Sequence, residues 1–597
     1  MKKHLLSVIL CFLSPCIIVA QKSIFVNQST GSDSNSGLNE QSAFQSMDAA
    51  TDLALPGDTI FIIGEYSNAS FNPNFSYTNN HDPHLWHSEN SVRINDLHGK
   101  QDSLISIKAF DGSTILKGDG ANIFRITNSS YLHIEGFNIQ GQVDAIPLSV
   151  ANQLQFAYLI GEETGDPLNP LESEIQYRDE DCVNNCVPDT VVEGEIYTSL
   201  KNKDIIRPSY IDTRGLYLSN VHHVTIASNV IHHMPGGGLR VSDCEDIDII
   251  GNEVHNCSRK SYSGTHALVV TKATSTRSGD DYRIRIERNK IHHNFNEQFS
   301  WAPTKTVITP HIDEGKGISL QRNETTYDNG GTINVNWENG RILVANNLCY
   351  FNGFSGVHSN DGNRIDFFNN TVYFNSYTKS ITENISTNNG GNIGISAQGG
   401  SDIRIINNIS IIDVNLNKSA ISSNLTAEEG LVVRNNLIYG TTLEGEMGPI
   451  SEDGDIVAVQ ENTIMADPHF AAPLDFNFQL EENSPAIGAA DISFAPAMDF
   501  NEQNRDNEPD LGAFEFVDGV GIVDTTPLTW SIYPNPSTGR ISINLSPSAP
   551  LNYTIHNAVG SFVQEGKIEN GKIHFNHEAP GVYFITIGEK TNKFILK

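Results

Sequence analysis

The chain has 597 residues, 38 lysines and arginines against 71 aspartates and glutamates, and a formal net charge of −33. That length exceeds what one compact globule accommodates but suits a solenoid, which grows along a single axis. The acidity argues against a nucleic-acid partner, because phosphate binding needs a basic surface; an anionic polysaccharide would have to meet a local basic cluster.

Residues 1–20, MKKHLLSVILCFLSPCIIVA, set two lysines before an apolar run and end on Ala20, the pattern of a signal peptide cut before Gln21. No later apolar stretch reaches the roughly 18 residues of a membrane helix, so the mature chain is expected to be exported and soluble. Of seven cysteines, Cys11 and Cys16 leave with that peptide, Cys182 and Cys186 share a loop and could pair, and Cys244, Cys257 and Cys349 lie apart. No disulfide framework or zinc knuckle is expected. Residues 21–66 read as a cap: strand, Gly/Ser/Asp loop, a short helix around Ser46–Leu53, the turn Pro56-Gly57-Asp58, then strand. Strands resume at 104–141, and an acidic, turn-rich insertion at 142–212 is expected to project over the binding face.

From residue 213 to 440 one pattern returns: VTIASNVI (224–231), IDIIGNEV (247–254), IRIERNKI (284–291), ILVANNLC (342–349), IDFFNNTV (365–372), IRIINNIS (403–410) and LVVRNNLI (431–438). Each is a β-branched strand ending on an asparagine: Asn229, Asn252, Asn289, Asn347, Asn370, Asn408 and Asn436. Two intervals are 23 residues, and the longer ones carry insertions such as 296–314 and 323–340. Self-similarity at this period, without helical periodicity, predicts stacked coils of strands, because one coil cannot bury its apolar face alone. The asparagines are expected at a coil corner, where Asn tolerates left-handed backbone and its amide can bond the amide one coil above. His232, His255 and His292 each follow a ladder asparagine by three residues, with Tyr350 and Tyr373 at the same place later. Such a repeat points to structural stacking at a corner.

The strands preceding each asparagine strand align as GLYLSN (215–220), GLRVSD (238–243), ALVVTK (267–272), GISLQR (317–322), GVHSND (356–361) and GISAQG (394–399). Stacked at ~4.8 Å per coil, they give an outward column Tyr217, Arg240, Val269, Ser319, His358, Ser396. A second column is Ser219, Ser242, Thr271, Gln321, Asn360, Gln398, and the strand ends are Asn220, Asp243, Lys272, Arg322 and Asp361. The densest cluster is PHIDEGKGISLQR (310–322), with Asp313, Glu314 and Lys316 ahead of the strand, His266 one coil away and Arg240 two. β-Elimination from a uronic-acid chain needs the carboxylate neutralised, a base for the C5 proton and an acid for the leaving O4. Lys316, His266, Arg240 and His358 are the candidates for those tasks. Asp243, Asp313 and Glu314 are suitable oxygen ligands for a Ca²⁺ that would neutralise the carboxylate. The rival chemistry, glycoside hydrolysis, needs two carboxyls ~5–9.5 Å apart, with Asp313 and Glu314, or Asp243 and Asp361, as the pair.

Residues 24–66 resemble the N-terminal entry of secreted right-handed β-helix proteins of the pectate-lyase-like superfamily. Residues 465–516, with DPHF, FQLEENSPAIGAA, DFN and DLGAFEF, resemble the segment that closes many of them. The resemblance implies an all-β fold, a right-handed parallel β-helix over 21–516, and a carbohydrate-active function, most often a polysaccharide lyase. In that family sugars bind along one polar face, so Tyr217, Trp301 and Trp337 would be stacking platforms and Lys272 and Arg322 would bind substrate. Past a linker at 517–526, residues 527–597 (SIYPNPSTGRISINL, YTIHNAVGSFV, APGVYFITI, KFILK) resemble the type A sorting domain of the type IX secretion system. That implies a small β-sandwich and the secretion machinery as a partner. The expected protein is a secreted, monomeric lyase-type enzyme acting on an acidic polysaccharide or oligosaccharide, plain or sulfated. The alternatives are a dehydratase using the same elimination, a glycoside hydrolase, and a surface glycan-binding protein.

Overall fold

The computed structural model describes residues 21–74, 88–154, 208–261, 265–298, 315–324, 337–376, 393–416, 419–442 and 460–517, short strands at 158–159 and 175–176, and the strands between 530 and 596. The chain divides into two compact units, residues 1–516 and 517–597.

In the first unit the β-branched repeat folds as its period dictates. Val224 and Ile226, Ile247 and Ile249, Ile284 and Ile286, Ile342 and Val344, Ile365 and Phe367, and Ile403 and Ile405 are all buried. Each such side chain is worth about 1.5–3 kcal/mol when fully buried, but only if a neighbouring coil covers it. The coils therefore pair in parallel: Val224 lies opposite Ile247, Ile247 opposite Ile284, Ile284 opposite Ile342, Ile342 opposite Ile365, and Ile365 opposite Ile403. Among the described residues this builds a parallel sheet of sixteen strands and a second of eleven short ones, including 230–232, 253–255, 290–292 and 348–350. The unit is a right-handed parallel β-helix.

Each coil turns on single left-handed residues. Asn128, Asn220, Asp243, Lys272, Arg322 and Asp361, with φ of 50°, 53°, 52°, 54°, 58° and 55°, stack at one corner. Ser228, Arg288, Asn346, Asn369, Asn407 and Asn435 are left-handed at another, one residue ahead of the ladder. The ladder asparagines themselves are not, which corrects the expectation that they would take that conformation. Their task is hydrogen bonding. Nδ2 donates to the Oδ1 of the next coil at 3.0 Å from Asn229 to Asn252, and likewise onward to Asn289, Asn347, Asn370 and Asn408, then at 3.1 Å to Asn436. Asn252 Oδ1 also accepts the Asn229 N–H, and Asn252 Nδ2 reaches the Ile226 carbonyl, so the buried amide is satisfied. A second ladder, Asn294–Asn352–Asn375, is linked by 2.9 Å bonds of the same kind. It went unread in the sequence, although each member follows a first-ladder asparagine by five residues.

On the second sheet His232, His255, His292 and Tyr350 form a column of rings, with centroids 5.1, 5.0 and 4.7 Å apart and mutual tilts of 6°, 3° and 10°. Cys244, Cys257 and Cys349 are buried free thiols; Cys182 and Cys186 lie outside the described residues. At the N-terminal end the helix Met47–Leu53 starts on Ser46, whose hydroxyl accepts the Ala49 N–H at 3.2 Å, and it buries Met47 and Ala50 against the first coils. An uncovered coil would leave a bare sheet edge there. At the other end Phe470, Phe478, Leu480, Leu511 and Phe514 pack with Tyr350, Tyr373 and Tyr439. Gly512 permits this closure: its φ is 80°, and a Cβ would fall 2.7 Å from both Ile409 Cδ1 and Thr371 Oγ1.

The second unit is antiparallel, with a three-stranded sheet (530–533, 540–545, 572–574) and a four-stranded one (562–568, 551–557, 581–587, 590–596). Among its described residues Ile555, Ile585 and Phe594 are the most buried side chains.

Candidate active site

The strand register puts the polar columns on one face of the larger sheet. Tyr217 lies opposite Arg240, Arg240 opposite Val269, Val269 opposite Ser319, Ser319 opposite His358, and His358 opposite Ser396. The second column, from Ser219 to Gln398, follows the same pairing. Toward the N-terminus the first column continues through Arg125 to Arg93, and beyond Ser396 it ends on Ser422. Arg93 and Arg125 were missed because their coils precede the asparagine repeat. A signal was available: VRIN (92–95), FRIT (124–127) and LRVS (239–242) share one pattern, an arginine between two apolar residues and then a polar one.

Of the polar cluster read from the sequence, His266 and Lys316 lie together. His266 is 1 % exposed and Lys316 9 %. The Lys316 backbone N–H points at His266 Nδ1 at 3.4 Å, while Gln321 Nε2 stands 2.9 Å from His266 Nε2 and 3.2 Å from Ser319 Oγ. Lys316 Nζ sits 4.8 Å from the centre of the Phe354 ring, a cation–π contact. One coil on, His358 Nδ1 is 2.5 Å from Ser396 Oγ. Burial first, and the Lys316 charge second, hold the His358 imidazole well below its ordinary 6.5, so the ring is neutral. Burial, with the Arg214 and Arg322 charges, lowers the Arg240 guanidinium, opposed by Tyr217 and Asp243. It stays protonated all the same.

The remaining candidates divide three ways. Tyr217 is half-buried, with the Arg125 guanidinium 6.0 Å from its ring centre, and Lys272 and Arg322 are half-buried at the left-handed corner. Trp337 is no stacking platform. It is 1 % exposed, lies in the apolar core, and gives its indole N–H to the Asn363 carbonyl at 2.9 Å. An aromatic of that size is worth more filling the coil than standing in water. Trp301, Asp313 and Glu314 lie outside the described residues.

The carboxylates constrain the other chemistries. Asp243 Oδ2 accepts the Ser242 hydroxyl at 2.5 Å, and Lys272 follows Asp243 in the next coil. Calcium takes about six to eight oxygens. Among the described residues no group of three His, Cys, Asp or Glu could hold a metal ion. Asp243 alone does not make such a site, and the other two candidate ligands, Asp313 and Glu314, lie outside the described residues. Asp243 and Asp361 are three register steps apart through Lys272 and Arg322. At ~4.8 Å per step that is about 14 Å, too far for the paired carboxyls of a hydrolase. The expectation that those two aspartates could act as a pair is therefore corrected.

Fold and face together define a parallel β-helix protein with a polar, partly cationic surface and a separate C-terminal unit. Residues 531–597 match the secretion system C-terminal sorting domain family. The chain is thus addressed to type IX secretion and is secreted or attached at the cell surface. No curated protein matches the chain in sequence. Among solved structures it is similar to a pectate lyase at 15 % identity and a TM-score of 0.39, over 83 % of this chain and 97 % of that one. It is similar to a rhamnogalacturonan lyase at 14 % and 0.35, over 83 % and 96 %. It is also similar to the family 28 exopolygalacturonase of Yersinia enterocolitica at 12 % and 0.33, over 74 % and 70 %.

Proposed function

We propose that the protein is a secreted carbohydrate-active enzyme of the lyase type, acting by β-elimination on a uronic-acid-containing polysaccharide, plain or sulfated, or on its oligosaccharides. One observation carries this reading: a buried, neutral His358 shares a column with Arg240 and further arginines, on a chain whose net charge is −33. Arg240, three register steps from His358, binds the carboxylate of a uronate further along the chain, while the Lys316 charge beside His358 makes the C5 proton of the reacting unit more acidic. His358, its Nδ1 against Ser396, takes that proton on Nε2. The electron pair forms the C4=C5 double bond, the C4–O4 bond breaks, and the leaving oxygen takes a proton from Lys316. His266 acts as a positioning residue, holding the Lys316 backbone and the Gln321 side chain. Were water expelled at a chain end instead of a sugar, the same residues would make a dehydratase.

The test incubates the mature protein with a panel of polyuronates and sulfated glycans and follows the ultraviolet absorbance of the new double bond. Absorbance should rise with the wild type and not with His358→Gln or Lys316→Ala. A flat trace with new reducing ends would sink elimination in favour of hydrolysis, and neither signal would leave glycan binding. The same assay with EDTA decides whether calcium takes part.

A further inference from the structure

The charge on the polar face is one-sided. Toward the N-terminal coils the first column reads Arg93, Arg125, Tyr217 and Arg240, each opposite the next, and Arg214 opens the strand of Tyr217. Arg93 and Arg125 are exposed. Arg93 has Glu89 at 3.7 Å, but both side chains are more than half exposed, and such a pair barely neutralises its cation. Past His358 the column carries hydroxyls alone, Ser396 and Ser422; at the left-handed corner Asp361 lies on the strand of His358 itself, as Asp243 lies on that of Arg240. Burial and the Asp361 charge hold the Glu324 carboxyl above its ordinary value, so two acids meet beside the coil of His358.

We infer that an acidic glycan is held from one side only: its charged units lie along the N-terminal coils, where Arg93, Arg125 and Arg240 each take one anionic group, and the bond to be broken lies at the far end of that track beside His358. This rests on the elimination reading and deepens it. Coils repeat at ~4.8 Å, so the track from Arg93 to Arg240 spans about 14 Å, the advance of a few linked sugars in an extended chain. Tyr217 interrupts the cations with a ring, which suits the face of a sugar better than its carboxylate. Ser396 and Ser422 offer no cation to an acid group beyond the reactive bond, so the short side of the cut receives a neutral or terminal unit.

The experiment uses the full-length secreted chain and two sets of size-defined probes, oligogalacturonates and chondroitin sulfate oligosaccharides, from dimers to octamers. Arg125→Glu and the double variant Arg93→Glu/Arg125→Glu are compared with the wild type by calorimetry and by turnover. Lys100→Glu, an exposed cation off the column, is the charge-matched control. Hexamers and octamers should bind about tenfold more weakly for each reversed arginine. Dimers and kcat should be unaffected, and Lys100→Glu should bind as the wild type does. Equal losses at every length, wild-type binding by the variants, or no binding of either probe set by the wild type would each overturn the track. Length-dependent binding loss without unsaturated product from any probe would keep the track and remove the elimination. Unsaturated product with an unchanged KM in both arginine variants would do the reverse.

Discussion

Gln321 stands over His266, its amide 2.9 Å from Nε2, while the Lys316 N–H occupies the other ring nitrogen. A neutral ring that accepts at Nδ1 carries its proton on Nε2. The amide atom facing that proton must then be the Gln321 carbonyl oxygen, so the amide is turned about from the orientation that puts its nitrogen there. His266 is thereby locked in one tautomer as a donor. Gln321→Ala should free the ring and lower kcat about 10–100-fold, with little change in KM. Nitrogen-15 NMR should show His266 protonated on Nε2 in the wild type and in mixed tautomers in the variant. A wild-type ring protonated on Nδ1 would refute the assignment.

As the base proposed above, His358 would set the acid limb of activity. Its pKa is depressed by burial and by Lys316, so a base at this position stays deprotonated below the usual 6.5. The kcat/KM profile should hold its plateau through pH 6.5 and fall only in more acid solution. His358→Gln should cost about 10²–10⁴-fold in turnover while leaving the melting temperature near that of the wild type. An acid limb centred at or above 6.5 would remove His358 as the base.

The ring column predicts a pH-dependent stability. Burial, then the neighbouring imidazoles, brings His232, His255 and His293 down to about 4. Between 6.5 and about 4 the unfolded chain binds protons that the folded one refuses. The stability is therefore complete above 6.5 and is lost as pH falls toward 4. The melting temperature should drop across that window. His255→Tyr keeps a flat ring, as Tyr350 already does further along, and should reduce the drop; an unchanged slope would show that other groups control it.

Asn347→Ala interrupts the first ladder at its centre. It strands the Asn289 N–H, which reaches Asn347 Oδ1, and removes one acceptor of Asn289 Nδ2, which keeps the Ile249 and Glu287 carbonyls; Asn370 Oδ1 keeps only the backbone N–H of residue 347. A buried donor left unpaired costs about 1–3 kcal/mol, so a loss of that size is expected in urea titrations of the first unit. A loss under about 1 kcal/mol would show that water or neighbouring carbonyls replace the amide.

The coil repeat was legible because burial imposes it: Ile247 and Ile249 must face inward in every coil, so the pattern must recur and the register follows. The columns from Tyr217 to Ser396 come with that register at no further cost in information. What lay outside the repeat was not legible. Trp337 belongs to a stretch read as an insertion, and nothing in its neighbours' spacing says that the ring turns inward to the Asn363 carbonyl. Arg93 and Arg125 stand on coils without ladder asparagines, so they had no phase to be read against. The identity of the left-handed residues was obscured for another reason. The conformation belongs to a place in the coil, and Lys272, Arg322 and Ser228 adopt it with no compositional sign.

The amides of the first ladder also all face the same way. The row opens where Asn229 Oδ1 receives the Phe137 N–H at 3.0 Å. From there every side-chain carbonyl looks back toward the N-terminal coils, and each amide sends a proton forward to the next asparagine while also reaching a main-chain carbonyl of the preceding coil. Hydrogen bonds chained head to tail polarise one another, so the row is a single aligned dipole. Each coil passes the next a demand for an acceptor. At Asn436 the demand ends, because both protons of its amide turn to main-chain carbonyls, Ile405 at 2.8 Å and Arg434 at 3.1 Å. The solenoid therefore has a direction written into its side chains. A coil could be duplicated in evolution and keep the current unbroken, but none could be inserted in reverse.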